Sequence, residues 1–218
     1  MNKIKYIFSI PKSLYINIKS LPLKQAIKLP ILVSYKTKLI SLRGKIVLLD
    51  KAKYGMIRIG FDGAGTAKHM STVIENNGII YLGNNVKIGG GCQICTVSKN
   101  SRLEIKKNVS ITSESHIIAS KNISIGNDSI ISWNTQIMDT DFHKILDKNN
   151  NLLNKDLDII IGDNVWIASK VNILKGTNIP NNTVISSGSI IKGILDEENC
   201  IYTGLPIKIL KSNIIWKK

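Results

Sequence analysis

The chain has 218 residues, with 30 Lys or Arg against 15 Asp or Glu, and is 43% apolar but only 6% aromatic. That length supports one sizeable core, which must be aliphatic, and no apolar run approaches the roughly 18 residues of a membrane-spanning helix. Three cysteines give no disulfide framework and residues 1–12 hold too short an apolar stretch for a secretory signal, so a cytoplasmic place is expected.

Residues 1–45 carry ten Lys or Arg and no acid, two thirds of the net charge of +15. Such a segment either meets an anionic surface, lipid headgroups at the inner face of the membrane or an acidic polymer, or is a solvated cap. Nucleic acid is not expected, since no reading motif accompanies the charge. With Pro11, Pro22 and Pro30 between short apolar stretches, residues 1–54 are predicted to cap one end of the domain that follows.

From residue 55 a pattern recurs: Ile57-Arg58-Ile59-Gly60, Ile80-Tyr81-Leu82-Gly83, Leu103-Glu104-Ile105-Lys106, Ile123-Ser124-Ile125-Gly126 and Ile159-Ile160-Ile161-Gly162. Between them, apolar residues recur every six positions through Leu82, Ile88 and Ile94, then Ile105, Ile111 and Ile117, then Ile125, Ile131 and Ile137. The series ends in six evenly spaced isoleucines, Ile161, Ile167, Ile173, Ile179, Ile185 and Ile191. Neither a helix, at 3.6 residues, nor a strand, at 2, makes that period; a chain turning a corner every six residues around an apolar axis does. The fifth member of each hexapeptide, Val165, Val171, Thr177, Thr183 and Ser189, is small or β-branched, as a tight inward site requires; Leu195 departs from the rule. The prediction is an all-β parallel β-helix over residues 55–196.

Two features near its start carry little chemistry. His69 follows the Gly-rich Gly60-Phe61-Asp62-Gly63-Ala64-Gly65, but no Lys-Ser or Lys-Thr follows, so corner glycines explain it better than a phosphate loop. Cys92 and Cys95 form one Cys-x-x-Cys without a second pair and are read, like Cys200, as small residues of the coil. His116 takes an outward position in the repeat.

The tetrads lie 23, 23, 20 and 36 residues apart, so a coil of three hexapeptides leaves small surpluses until the last, where a whole excursion is inserted. Residues 138–158 have lost the period, and a loop of that length in a compact repeat is commonly functional. It holds Asp139-Thr140-Asp141-Phe142-His143-Lys144-Ile145. Residues 197–218, with Gly204 and Pro206, are predicted to finish the other end.

Ile161-Gly162-Asp163-Asn164-Val165-Trp166-Ile167 through Ile173-Leu174-Lys175-Gly176, then Ser187-Gly188-Ser189 and Gly204-Leu205-Pro206-Ile207-Lys208, resemble the hexapeptide-repeat acyltransferases with a left-handed β-helix. The branch with the strongest likeness is the capsular polysaccharide and O-antigen O-acetyltransferases, with maltose and galactoside acetyltransferases further off. The resemblance spans roughly residues 80–218 and supplies the handedness, which periodicity does not. It implies acetyl transfer from acetyl-CoA to a glycan hydroxyl in a homotrimer whose sites lie between adjacent β-helices.

An alcohol does not ionise alone at neutral pH, so a base must take its proton, and the resemblance gives that role to His143. Asp139, Asp141 or a backbone carbonyl would orient the ring, and both aspartates are also candidates to touch the acceptor. Trp166 would border the cleft or pack on a neighbouring subunit. Ser169, Ser187 and Gly188 would line the pantetheine groove, and Lys192, Lys208 and Lys211 would approach the CoA phosphates. Family members commonly have Ala where Ile207 stands, which alters the local contact. No residue stands out as the oxyanion donor; a backbone amide or the Trp166 indole N–H would serve. Trp216 would pack over the last coil or flank CoA.

Three other readings remain. The acceptor could be a small sugar, a nucleotide-sugar or an antibiotic. A zinc hydratase of the γ-carbonic-anhydrase type would need His69, His116 and His143, 47 and 27 residues apart with no close pair, so no metal is expected. An ice-binding β-helix would need regular outward Thr ladders, and the outward residues here are mixed Asn, Lys and Ser.

Overall fold

The computed structural model describes residues 3–61 and 70–217, with side chains from residue 6 onward. Most of the Gly-rich stretch, and His69, lie outside the described residues. The strands form three sheets of nine, seven and six strands, parallel throughout except for the last strand of the nine, and neighbours within a sheet are three strands apart along the chain until the C-terminal end. The chain thus visits three faces in turn and closes one coil of a three-sided β-helix on each circuit.

The register stacks like on like. Ile88, Ile111, Ile131, Ile167 and Ile185 form one ladder on the nine-stranded face. Ile94, Ile117, Ile137, Ile173 and Ile191 form the second, on the seven-stranded face. Leu82, Ile105, Ile125, Ile161 and Ile179 form the third. None of the fifteen is more than 3% exposed. Each contributes about 1.5–3 kcal/mol of burial, and the six-residue period is simply one such residue per face. Val165, Val171, Thr177, Thr183 and Ser189 are also buried. The Thr177 hydroxyl donates to the Leu174 carbonyl at 2.6 Å, so its burial leaves no orphan.

The corners explain the asparagines. Asn85, Asn108, Asp128, Asn164 and Asn182 stack at one edge, all with φ between 52° and 59°. Left-handed backbone costs most residues about 1–2 kcal/mol, and Asn and Asp tolerate it best after glycine. Their side chains bond up the edge, Asn85 to Asn108 at 3.0 Å, Asn108 to Asp128 at 2.7 Å and Asn164 to Asn182 at 2.9 Å.

The β-helix begins earlier than the sequence indicates, at Ile31 and not residue 55. Strand Ile31–Val33 pairs in parallel with Ile57–Ile59, Lys38–Leu42 with Val73–Asn76, and Lys45–Leu48 with Ile79–Leu82. A bulge between Leu39 and Ser41 breaks the six-residue count in this first coil, which hides it.

Helix α1, Lys3–Ser20, closes that end. It lies on the open edge of Ile31–Val33, where no earlier coil exists to pair. Asn17 Oδ1 accepts from the Ile31 N–H at 3.2 Å, Ser13 Oγ from Val33 at 3.0 Å and Ser9 Oγ from Tyr35 at 3.0 Å. Four residues of helix rise about 6 Å and two of strand about 6.6 Å, so acceptors four apart meet donors two apart. A short helix α2, Leu23–Ala26, follows. At the other end, Lys208–Lys211 folds back antiparallel on Ile201–Thr203. No helix among the described residues is long and apolar enough to cross a membrane.

Candidate active site

The excursion leaves the seven-stranded face after Gln136–Met138 and returns to the six-stranded face at Ile159–Ile161, so it projects from the corner between them. Asp139 roots it. The residue is fully buried, and its carboxylate accepts from the Ser120 N–H at 2.6 Å and the Lys121 N–H at 2.9 Å in the coil before. Burial pushes its carboxyl above the usual carboxylate range, against those N–H donors. Asp139 lines neither cleft beside the loop.

Asn154 clasps the loop across its width. Its amide donates to Asp141 Oδ2 at 2.9 Å and to the His143 carbonyl at 2.7 Å, and its oxygen accepts from the Ile145 N–H at 2.7 Å. Lys175, from the coil beneath, bonds Asp141 Oδ2 and the Asn154 carbonyl. The Lys175 and Asn154 bonds hold the Asp141 carboxyl below its usual range. Between Asp141 and His143 the backbone makes a tight turn, with the His143 N–H donating to the Asp141 carbonyl at 2.7 Å and Phe142 at φ 59°. A bulky residue in left-handed conformation is a strained one, and strain of this kind gathers at functional sites.

The held loop stands as a wall between two clefts. One, about 310 Å³, is lined by Val97, Ser120, Phe142, His143, Lys144 and Asp156 among others. His143 is exposed there, and its ring makes no hydrogen bond to a described residue. Neither aspartate bonds the ring: Asp139 accepts from backbone N–H groups, and Asp141 Oδ2 accepts from Lys175 and Asn154. The second cleft, about 510 Å³, is lined by Asp141, Leu157, Leu174, Lys175 and Lys192 among others.

The remaining predicted residues sit on other edges. Ser169, Ser187 and Gly188 share the corner between the nine- and seven-stranded faces, with the two hydroxyls 3.0 Å apart. A Cβ at Gly188 would meet nothing within 4 Å, so the glycine answers to its φ of 74° and the surface beside it is open. Lys208 and Lys211 are exposed on the C-terminal strand. Trp166 belongs to the nine-stranded face, which is opposite the corner bearing His143. Its indole N–H donates to Ser132 Oγ at 3.1 Å, and its ring meets that of Trp216 at 6.1 Å, whose own N–H donates to the Asn164 carbonyl at 2.8 Å. Of the three lysines predicted to approach CoA, Lys192 is therefore the one beside the histidine loop, and the chain does not gather the predicted set at one place. Asn154 and Lys175 were missed by sequence reasoning. The only signal for Lys175 was its place at the repeat corner beneath an insertion.

Burial pushes the Cys92 and Cys95 thiols up to about 11, keeping both protonated. His116 stands half-buried in a ladder between Gln93 and Gln136. Among the described residues no three His, Cys, Asp or Glu converge as a metal site.

A three-sided β-helix of stacked hexapeptides with a histidine-bearing excursion at one corner is the architecture expected of the hexapeptide-repeat acyltransferases. No family model matches the chain. Its relatives include a 24.8 kDa protein of the cps region of Klebsiella pneumoniae, 31% identical, covering 85% of this chain and 84% of that protein. A polysialic acid O-acetyltransferase of Neisseria meningitidis is 35% identical over 66% of this chain and 78% of its own length. Among solved structures, the polysialic acid O-acetyltransferase OatWY superposes with a TM-score of 0.59 at 28% identity, covering 84% of this chain and 91% of that one. The chain belongs to the hexapeptide-repeat O-acetyltransferases with a left-handed parallel β-helix, and it is an acyltransferase.

Proposed function

We propose that the protein transfers an acetyl group from acetyl-CoA to a sugar hydroxyl of a bacterial surface polysaccharide, with His143 as general base. The observation that carries this reading is the unpaired, exposed imidazole on a loop fixed by Asp139, Asn154 and Lys175. A nitrogen of that ring takes the hydroxyl proton while the oxygen attacks the thioester carbonyl. The tetrahedral intermediate collapses, the C–S bond breaks, and the thiolate recovers the proton from the imidazolium. Two of the relatives above, the Neisseria meningitidis protein and OatWY, act on polysialic acid by name, which supports a polymer acceptor.

The dispersion of the other residues supports a homotrimer. Ser169, Ser187 and Gly188 form an open surface suited to an extended pantetheine arm, and Lys208 and Lys211 offer exposed cations to its phosphates. These groups lie on other edges than His143, and in a trimer a His143 ring from a neighbouring copy would meet them across the interface. In the same arrangement Trp166 borders the shared cleft, with its N–H already engaged by Ser132. Asp141, Lys175 and Lys192 would face the acceptor from the second cleft, while Asp139 serves the scaffold.

The test is acetyl transfer from acetyl-CoA against a panel of surface glycans. His143→Ala is expected to lose about 10²–10⁴-fold in rate with an unchanged melting temperature. Transfer at the parental rate would remove His143 as the base.

A further inference from the structure

Helix α1 is amphipathic in the reverse sense. Its inner face carries Ser9, Ser13 and Asn17, each no more than 2% exposed and spent on the open strand edge, with Ile16 the one described apolar side chain of the helix buried beside them. Its outer face carries Ile7, Ile10, Leu14 and Ile18, at i, i+3, i+7 and i+11, with Phe8 and Tyr15 alongside, and these six are 40–65% exposed. The chain continues the pattern beyond it with Leu23 and Ile27, 69% and 72% exposed. A helix on a protein that meets only water places such residues inward, so a stripe of this length marks a surface that is covered in use.

The surroundings decide what covers it. Lys19, Lys24 and Lys28 are exposed beside the stripe, and residues 1–45 contain no acid. A second copy meeting this patch through a two-fold axis would set those lysines against their own kind. An acidic polymer would satisfy the lysines and leave the isoleucines in water. An anionic bilayer satisfies both, headgroups taking the lysines and the acyl boundary taking the apolar stripe, with Tyr15 and Tyr35 suited to the interface.

We infer that the outer face of α1 docks the enzyme on an anionic membrane surface while its inner face closes the β-helix. The helix covers the end of the prism, so docking holds the β-helix end-on. The histidine loop leaves the fifth strand of the seven-stranded face, four coil steps of about 4.8 Å from the first coil, and the helix beneath adds about 10 Å, so the loop stands roughly 30 Å above the lipid. At that height the reachable hydroxyls belong to a glycan chain extending from the surface and not to a headgroup. The docking itself stands independently of the acetyl-transfer reading.

The test is co-sedimentation of the full chain with phosphatidylcholine vesicles with and without 30% phosphatidylglycerol, a proportion of about one third chosen to give a strong surface charge. The parental protein is expected to bind the anionic vesicles only. A variant with Phe8→Ser, Leu14→Ser and Ile18→Ser keeps the inner face and is expected to bind about tenfold or more weakly with an unchanged melting temperature. Phe8→Trp is expected to shift its fluorescence to the blue when the anionic vesicles are added. Vesicle binding that survives the triple substitution, or is abolished by soluble polyanion with no blue shift, would overturn the inference in favour of charge alone. Absence of vesicle binding, with a changed molecular mass in the triple variant, would overturn it in favour of a contact between copies.

Discussion

The Ile ladder and the excursion at residues 139–158 are one chain solving opposite problems. In the ladder each side chain has an identical neighbour above and below, so position is set by repetition and the energy is apolar burial. In the excursion no neighbour repeats, and Phe142, Ile145, Leu146 and Leu153 are all exposed, so position is set by a few polar contacts converging on Asp139 and Asn154. The difference teaches that stability and chemistry are separable here: the tube tolerates the loop because the loop borrows almost nothing from the core.

That separation can be broken from either side. Ile137→Ala removes one rung next to the root of the loop and is expected to cost about 2–5 kcal/mol in denaturant unfolding, through lost burial and the cavity left behind. Its acetyl transfer below the unfolding range is expected to stay near parental. Asn154→Ala should do the reverse. Releasing Asp141, the His143 carbonyl and the Ile145 N–H leaves the core untouched but lets the imidazole wander, and transfer is expected to fall about 10–100-fold at constant melting temperature. Equal losses of stability and activity in both variants would show that loop and tube are one cooperative unit.

The tube was legible in the sequence because a six-residue period in isoleucine leaves no other architecture. What escaped were features whose logic lies between coils. The first coil is masked by the bulge at Leu39 and Ser41 and by its outward lysines. The asparagine edge could have been read, since Asn85, Asn108, Asp128, Asn164 and Asn182 stand 23, 20, 36 and 18 residues apart, one per coil, but its meaning depends on a positive φ that spacing alone does not give. The first segment was read by charge, although Ser9, Ser13 and Asn17 at intervals of four, set between Ile7, Ile10, Leu14 and Ile18, already spell a helix with its polar side turned in. Asp139 and Asp141 both suited the role of orienting His143 by proximity in sequence. The structure engages one with backbone and the other with Lys175, and neither partner is adjacent in the chain.

The proposed base and the proposed donor groove lie on different edges of the prism, and the central claim is that they meet between copies. Mixing two variants in a refolded oligomer tests it directly, one lacking the base, His143→Ala, and one with the groove blocked, Ser187→Trp. Each alone should be inactive, and a one-to-one mixture should recover activity at about a quarter of the sites, where an intact histidine faces an intact groove across the interface. A mixture as inactive as its parents would place the whole site within one protomer and contradict the account.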